Sequence, residues 1–446
     1  MEGGEGVSDF LNRMKDYLKE EYPIYEETLN QPVFRGLRVN PLKISDEKLL
    51  SYKLAELSPS SFARHGYYIL DDAKLGNTWQ HLSGCFYMQE PSASSAVSVL
   101  DPQPTDWVLD LCAAPGGKSS QIAALLGDSG FLLSNEIDHA RAMVLMSNLE
   151  RMGVSENMVT NASPEVLCPK VAGWFDRVLV DAPCSGEGMF KKNSKAIEDW
   201  SLEHVVACGN RQQKILDSAY LALKQGGVLV YSTCTYAMEE NEEVIAHFLQ
   251  SHPDMELVDC GVTFGRGGYS LAGVDGNLVR RIFPMDKGEG HFIAKMIKHK
   301  EADEAKLKMQ KAYKLDKLTQ AFIDEQLVEC PYIFYEQAGK VYAKKTAFIQ
   351  LEGIKILRQG LLCGEIVKNR FEPHHHFYLA TSNSGLLQHV IELDEQQVST
   401  YLEGNVLMIS GYKGYHAVCK DGIILGFVKG DGNCLKNKYP KGLRVR

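Results

Sequence analysis

The stretch Val108-Leu109-Asp110-Leu111-Cys112-Ala113-Ala114-Pro115-Gly116-Gly117-Lys118 decides how the rest of the chain is read. An apolar strand runs into small residues and a glycine pair, and a helix is predicted over 119–126. Adjacent glycines let the backbone come close to a ligand, and the first N–H groups of a helix are free to meet it. Glu136 follows the next strand, at the spacing of an acid that holds ribose hydroxyls. The loop has neither GxGxxG nor the GK[ST] spacing of a phosphate loop. That argues against a dinucleotide oxidoreductase and against a nucleoside triphosphate. The plain alternative is a tight strand–helix turn with no ligand. Glu136, and a second site on the same sheet edge, weigh against it.

Outward from this stretch, strands are predicted at 107–111, 131–134, 177–180 and 228–232, with helices over 119–126, 140–152 and 212–223 between them and a last strand at 291–296. Such alternation implies parallel strands with crossover helices, an open α/β sheet. Upstream, Phe10, Leu11, Met14 and Leu18 at helical spacing predict an amphipathic helix over 8–22. A short strand over 34–40 stops at Pro41, and Ser45 opens a helix through residue 50. Residues 299–317 are dense in Lys, Glu and Ala and read as a polar helix or linker. Beyond them, short strands are punctuated by Gly411, Gly414, Gly422, Gly426, Gly430 and Gly432. The expected domains are a small α+β unit over 1–90, the α/β sheet over 91–298, a linker over 299–324 and a β-rich region over 325–446.

Two further strands end in reactive-looking loops. Residues 175–180 lead into Asp181-Ala182-Pro183-Cys184-Ser185-Gly186-Glu187-Gly188, and 227–231 lead into Ser232-Thr233-Cys234-Thr235-Tyr236. Each cysteine lies just past the carboxyl end of a parallel strand, on the edge that carries the glycine loop, where open α/β sheets bind ligands. If the strands are neighbours, both thiols face one cleft. A single cysteine in such a loop is most simply an inert small hydrophobe. Two of them, one inside Asp-x-Pro-Cys, are harder to explain that way. The eleven cysteines include no CxxC pair and no zinc-like spacing, so neither a disulfide framework nor a metal is expected.

Composition is ordinary for a globular chain, 44% hydrophobic and 24% charged, and no apolar run reaches membrane-span length. Met1–Gly6 lacks a basic segment and an apolar segment, so a cytoplasmic location is expected. With 48 Lys+Arg against 57 Asp+Glu the net charge is −9, so contact with nucleic acid would rest on local basic patches. Candidates are Arg35 with Arg38, Lys191 with Lys192, the lysines of 295–317, and the tail Lys436, Lys438, Lys441, Arg444 and Arg446.

At these residues the chain resembles the NOL1/NOP2/Sun family of RNA cytosine-C5 methyltransferases, and within it the bacterial RsmF-type enzymes that modify 16S ribosomal RNA. The likeness runs from Arg35-Gly-Leu-Arg-Val-Asn40 and Gln89-Glu-Pro-Ser92, through the motifs above, to Gly288-Glu-Gly-His-Phe292 and Lys438-Tyr-Pro-Lys-Gly-Leu443. It implies a Rossmann-like class I methyltransferase sheet, a small α+β N-terminal RNA-binding domain and PUA-like C-terminal modules. It further implies S-adenosylmethionine as cofactor, held by Cys112, Ala113, Ala114, Pro115, Gly116, Gly117, Lys118, Glu136 and Asp181. Ser163, in Asn161-Ala-Ser-Pro164, aligns with an adenine-side contact that is usually Asp. Cys234 is implied as nucleophile, Cys184 as the thiol that assists product release, and 16S rRNA or the small ribosomal subunit as partner of a monomeric protein.

The chemistry suits these residues. A thiolate adding at C6 of cytosine breaks the aromaticity and makes C5 nucleophilic, so that it can take a methyl group; a base then removes the C5 proton and the thiolate leaves. A free thiol has a pKa of about 8.5, so a helix N-terminus or a nearby cation such as Lys118 must favour the thiolate. Asp181 could hold the amino edge of the base or the amine of the cofactor. Position alone does not choose between the cysteines, because in DNA cytosine methyltransferases the Pro-Cys cysteine attacks. A tRNA or other RNA substrate, a DNA or small-molecule methyltransferase, and a non-catalytic RNA-binding ribosome assembly factor remain open; two retained cysteines argue against the last. His374-His375-His376 is read as part of a strand, where at most His374 and His376 share a face. The acidic run Glu239-Glu240-Asn241-Glu242-Glu243 reads as a helix start.

Overall fold

The computed structural model describes residues 5–381 and 385–445. At its centre is a nine-stranded sheet, whose strands we number β1 (Trp107–Asp110), β2 (Phe131–Asn135), β3 (Asn157–Thr160), β4 (Phe175–Asp181), β5 (Leu223–Thr233), β6 (Met255–Val258), β7 (Arg280–Ile282), β8 (His291–Lys298) and β9 (Ile356–Gln359). The order is β6-β8-β5-β4-β1-β2-β3-β9, with β7 paired to β8. Strands β1 to β5 run parallel, and β8 enters antiparallel beside β5. The order turns back between β1 and β4, which opens the crevice where α/β sheets bind ligands.

The strand sequences are apolar on both sides because both faces are covered. Val108, Leu132, Val159, Leu179, Val230 and Ile293 enter one core with Ile122, Leu145 and Leu149 of the helices Gly117–Leu126 and His139–Arg151. Leu109, Leu133, Val178, Val180, Leu229 and Tyr231 enter the other, against Ile215, Leu216 and Ala219 of the helix Leu202–Ala222 and Phe248 of the helix Glu242–Ser251. Truncating one such buried leucine to alanine typically costs about 2–5 kcal/mol.

Several expectations are revised. The sheet does not end near residue 298. β9 pairs antiparallel with β3, Ile356 opposite Thr160 and Gln359 opposite Met158, and so covers an edge whose backbone groups would otherwise lack partners. The helix expected at 212–223 begins at Leu202, where the Ser201 side chain accepts from His204 N–H. The N-terminal helix is two helices, Glu5–Leu18 and Tyr22–Thr28, joined by a tight turn, with Pro23 in the first turn of the second. Phe10, Met14, Leu18 and Tyr25 do not pack on the N-terminal sheet. They pack on Phe190, Trp200, Tyr236 and Phe283 of the central unit, with the Phe10 and Phe190 rings 4.8 Å apart. The N-terminal sheet itself is antiparallel, in the order Leu57–Pro59, Gly66–Ile69, Gly36–Val39, Phe86–Met88.

Residues 299–316 hold no helix, only the two-residue strand Lys308–Met309; the helix begins at Lys317 after an Asp316 cap and runs to Gln326. Two small β units follow. One is a meander of Ile333–Gln337, Lys340–Lys344, Leu361–Val367 and Arg370–Pro373. The other joins Val390–Glu392, Lys413–Lys420, Ile423–Asp431 and Leu435–Asn437. The second touches the N-terminal sheet, where Ile423 shares a core with Leu37, Val39 and Phe86. The three histidines are not on a strand. His375 begins the helix His375–Thr381, His376 Nδ1 meets Arg358, and His374 Nδ1 lies 3.8 Å from Glu150.

The proposed basic patches fare unevenly. Arg38 is buried and is no surface contact: it donates to Ser120 Oγ at 2.7 Å and to Gly117 O at 3.2 Å, bracing the glycine loop. Arg35 is spent on the carbonyls of Asp71 and Ala73, and Lys191 lies 3.3 Å from Glu289. Lys192 and Lys441 are exposed, and Lys436 pairs loosely with Asp431 at 3.3 Å. Arg446 and Met1–Gly4 lie outside the described residues. Among the described residues no helix is long and apolar enough to cross a membrane.

Candidate active site

The carboxyl ends of β1, β4 and β5 bring the sequence motifs together. After β1 the chain turns through Leu111–Gly116 and starts the helix Gly117–Leu126; Gly116 has φ 108°, a conformation that side-chain-bearing residues rarely adopt. At Gly117 an added Cβ would sit 2.9 Å from Gln89 Oε1 and 3.1 Å from the Tyr87 ring, so a larger residue there would push on both side chains of the 87–89 segment. A cavity of about 190 Å³ lies there. Its walls include Cys112, Ala113, Ala114, Pro115, Gly117, Lys118 and Asp181, and also Tyr87, Gln89 and Asp110. The last three are absent from the sequence-based site, although Gln89 belongs to a quoted motif and Asp110 to the quoted strand.

Gly116, Glu136 and Ser163 stand off this cavity's lining. Glu136 is buried past β2, where one oxygen accepts from Asp138 N–H at 3.0 Å and the other lies 3.6 Å from Arg141. Ser163 precedes the short helix Pro164–Leu167 without a side-chain cap bond.

Charge in the crevice is arranged in pairs. Lys118 Nζ lies 2.7 Å from Asp181 Oδ2, and Ser232 Oγ donates to Asp181 Oδ1 at 2.7 Å. Burial opposes both charges, but each outweighs it for the other. Asp181 is held below the usual carboxylate range, and Lys118 is held above its ordinary value. Asp110 has no such cation in contact. Ser119 Oγ donates to one of its oxygens at 2.6 Å, the other is buried without a hydrogen-bond partner, and burial pushes its carboxyl up to about 7.

The two cysteines meet. Asp181 pairs with Ser232 across β4 and β5, so Cys184 and Cys234 leave adjacent strand ends, and their sulfurs are 3.3 Å apart. Cys234 N–H also points to Cys184 Sγ at 3.4 Å. The hydrogen bond with Cys234, together with burial, pushes the Cys184 thiol well above its ordinary value. Cys184 is therefore held in its thiol form in contact with the Cys234 sulfur.

Two buried glutamates hold these loops. Glu240 accepts from Ser185 N–H at 3.0 Å, Ser185 Oγ–H and Gln212 Nε2 at 2.9 Å, and burial pushes it up to about 7. Glu187 accepts from Trp200 Nε1, Thr235 Oγ1 and Tyr236 N–H at 2.9–3.0 Å. The acidic run around Glu240 therefore braces the Pro-Cys loop as well as preceding the helix at Glu242. At the cleft rim Ser92 Oγ donates to Glu90 at 2.5 Å and lies 2.9 Å from His291 Nδ1, which ties together the 89–92 and 288–292 segments. Burial lowers His291 to about 3, so its ring is neutral.

A glycine loop at the crevice of this strand order is the ligand site of a Rossmann-like sheet, and with two cysteines on the next strand ends it has the arrangement that the resemblance to class I methyltransferases implies. The family described as 16S rRNA methyltransferase RsmB/F matches residues 97–297. Three companion families, the RsmF N-terminal domain, the RsmF first C-terminal domain and the RsmF PUA domain, match residues 7–91, 321–380 and 388–445. Ribosomal RNA small subunit methyltransferase F of Shewanella oneidensis is 33% identical over 436 residues, covering 93% of this chain and 91% of its own. The protein of the same name from Vibrio cholerae is 33% identical, covering 93% and 92%. A crystal structure of a methyltransferase homolog protein from Pyrococcus horikoshii superposes with TM-score 0.58 at 31% identity, covering 65% of this chain and 94% of that one. NSun6 from the same organism shares the fold, with TM-score 0.58 at 24% identity over 67% of this chain and 99% of that one. The chain belongs to the RsmB/F family of 16S rRNA methyltransferases, in its RsmF branch.

Proposed function

We propose that this protein methylates C5 of a cytosine in 16S ribosomal RNA by covalent catalysis, with Cys234 as nucleophile. The observation that carries the reading is the 3.3 Å sulfur pair at the ends of β4 and β5, in which Cys184 is held as a thiol; the choice of Cys234 as the attacking sulfur follows the family resemblance. In this reading the Cys234 thiolate forms a bond to C6 of the base. Cys184, in contact with that sulfur, assists the later elimination, in which a base takes the C5 proton, the electron pair of that C–H bond re-forms the C5–C6 double bond and the S–C6 bond breaks to return the Cys234 thiolate. Asp181, fixed by Lys118 and Ser232, orients either the base's amino edge or the cofactor's amine. S-adenosylmethionine, when bound, supplies the electrophilic methyl group.

The residues present fit that cofactor. The cavity offers a glycine-lined backbone, the unpartnered Asp110 oxygen and the Lys118–Asp181 pair, which suits a ligand carrying both an ammonium and a carboxylate. Glu136 past β2 and the uncapped Ser163 past β3 are assigned to its ribose and adenine sides. The rRNA substrate is carried over from the family and from relatives named for the small subunit RNA. Residues 1–90 and 325–446 are assigned to RNA contact around a catalytic unit over 91–298, with 299–324 as linker. The test is Cys234→Ala, expected to abolish methyl transfer to 16S rRNA from labelled S-adenosylmethionine while cofactor affinity in calorimetry is unchanged. Transfer at an appreciable fraction of the wild-type rate would refute the assignment.

A further inference from the structure

The same sulfur contact has a second chemical consequence, which does not depend on RNA. We propose that Cys184 and Cys234 are an oxidation site, at which a peroxide converts the pair into a disulfide that a dithiol reductant reopens. The sulfurs are 3.3 Å apart, and a disulfide bond is about 2.05 Å long, so the gap to close is about 1.3 Å. The main chain sets this approach. The loops leave hydrogen-bonded neighbouring strands at Asp181 and Ser232, Cys234 N–H reaches Cys184 Sγ, and Gly188 N–H donates to Cys234 O at 2.9 Å. At Gly188 an added Cβ would sit 3.0 Å from that same carbonyl, so the two loops lie against each other through backbone as well as sulfur.

Access permits the reaction, and the sulfur contact selects the pair. Both residues are partly exposed, as are Cys112 and Cys434, and Cys330 is exposed, whereas Cys85, Cys168, Cys208, Cys260, Cys363 and Cys419 are buried. Cys234 is the first sulfur to react in this proposal, because the thiolate is the nucleophile and burial together with the Cys234 contact holds Cys184 in its thiol form. The steps balance. Cys234 S⁻ attacks one peroxide oxygen, the O–O bond breaks, and Cys234 becomes a sulfenic acid. The hydroxide released takes the Cys184 proton and becomes water. Cys184 S⁻ then attacks Cys234 Sγ, the S–S bond forms, and a second hydroxide leaves and takes up the proton given off when Cys234 ionised. Two thiols lose two electrons in total, and one peroxide becomes two waters. A resolving thiol in contact captures the sulfenic acid before a second peroxide can carry it to the irreversible sulfinic state.

Formation of the bond stands apart from the proposed function; its effect on methyl transfer rests on Cys234 being the nucleophile. The full-length protein is treated with hydrogen peroxide, alkylated and digested with trypsin. The expected product joins fragment 178–191 to fragment 225–266, with fragmentation locating the bond at Cys234 rather than Cys260. Methyl transfer is lost and returns with dithiothreitol, while S-adenosylmethionine affinity is unchanged, since neither cysteine lines the cavity. In Cys184→Ser, peroxide is expected to carry Cys234 to sulfinic acid, with activity that dithiothreitol does not restore. Recovery of alkylated Cys184 beside over-oxidised Cys234 in the wild type would overturn the proposal, as would a bond from Cys234 to another cysteine. A cross-linked protein that still methylates would establish the bond and refute Cys234 as nucleophile.

Discussion

Arg281 and Glu242 form the most deeply buried ion pair near the site, and removing one partner should cost more than removing both. Their side chains are 2% and 0% exposed. Arg281 Nε donates to Glu242 Oε1 at 2.7 Å, Nη2 reaches the second oxygen, and Nη1 donates to Tyr236 O at 2.7 Å, two residues past Cys234. Arg281→Met leaves the Glu242 carboxylate buried without its cation, a loss of about 3–5 kcal/mol. In Arg281→Met with Glu242→Met no charge is stranded. What remains is the Tyr269 N–H, which donated to Glu242 at 3.0 Å, and the Tyr236 carbonyl; an unsatisfied buried group costs about 1–3 kcal/mol. The double variant should therefore be more stable than the single one by about 2 kcal/mol, a sizeable part of a typical total of about 5–15 kcal/mol. Urea unfolding followed by circular dichroism measures both. A single variant that loses under about 1 kcal/mol, or that is no worse than the double, would refute the view of this pair as a desolvated brace. Methyl transfer should fall in the folded single variant as well, because Tyr236, stacked on Phe283 at 5.1 Å, loses the donor that fixes its backbone beside Cys234.

Three other outcomes follow from the site. Cys184→Ala should accumulate protein joined to RNA through Cys234, seen as a band that survives denaturing electrophoresis and is missing when Cys234→Ala is added; no adduct in the single variant would remove Cys184 from product release. Glu136→Ala should weaken S-adenosylmethionine binding by about 1.5–3 kcal/mol, on the order of ten- to a hundredfold, and unchanged affinity in calorimetry would take Glu136 out of the site. For Glu240, burial raises the folded pKa from 4.5 to about 7, so between these values the native state binds a proton that the unfolded state has released, and stability falls as pH rises through that window. Glu240→Gln imitates the protonated form, so its stability relative to wild type should climb by about 2–3 kcal/mol from pH 4.5 to pH 7 and then level off; a pH-independent difference would refute the buried state of this carboxyl.

Legibility from sequence tracked how local each feature is. The strands at 107–110, 131–135 and 175–181 and the helix at 139–151 came within a residue or two of their predicted ends, because apolar runs and helical periodicity are properties of neighbouring residues. The short β3 was missed, for its four residues carry too little pattern. β9 was missed because it joins the sheet across some two hundred residues of chain, where only the need to cover an edge selects it. Arg38 misled for a related reason: beside Arg35 it looks like a basic patch, yet Ser120 and Gly117 draw it inward.

The sequence by itself determined the class of sheet, the edge on which function sits, and the residue types offered there: a glycine loop, Asp181 and two cysteines. Each follows from spacing along the chain, since a strand and the loop after it are covalently joined and a parallel sheet must present all such loops on one side. Only the tertiary structure decided that β4 and β5 are neighbours and that their cysteines touch. It alone buried Cys184 against the second sulfur and recruited Glu240 and Glu187, read in sequence as helix-start and loop acids, as internal braces. These outcomes depend on burial, which excludes water and so turns a contact between distant residues into a strong constraint, and burial is a property of the whole packed chain.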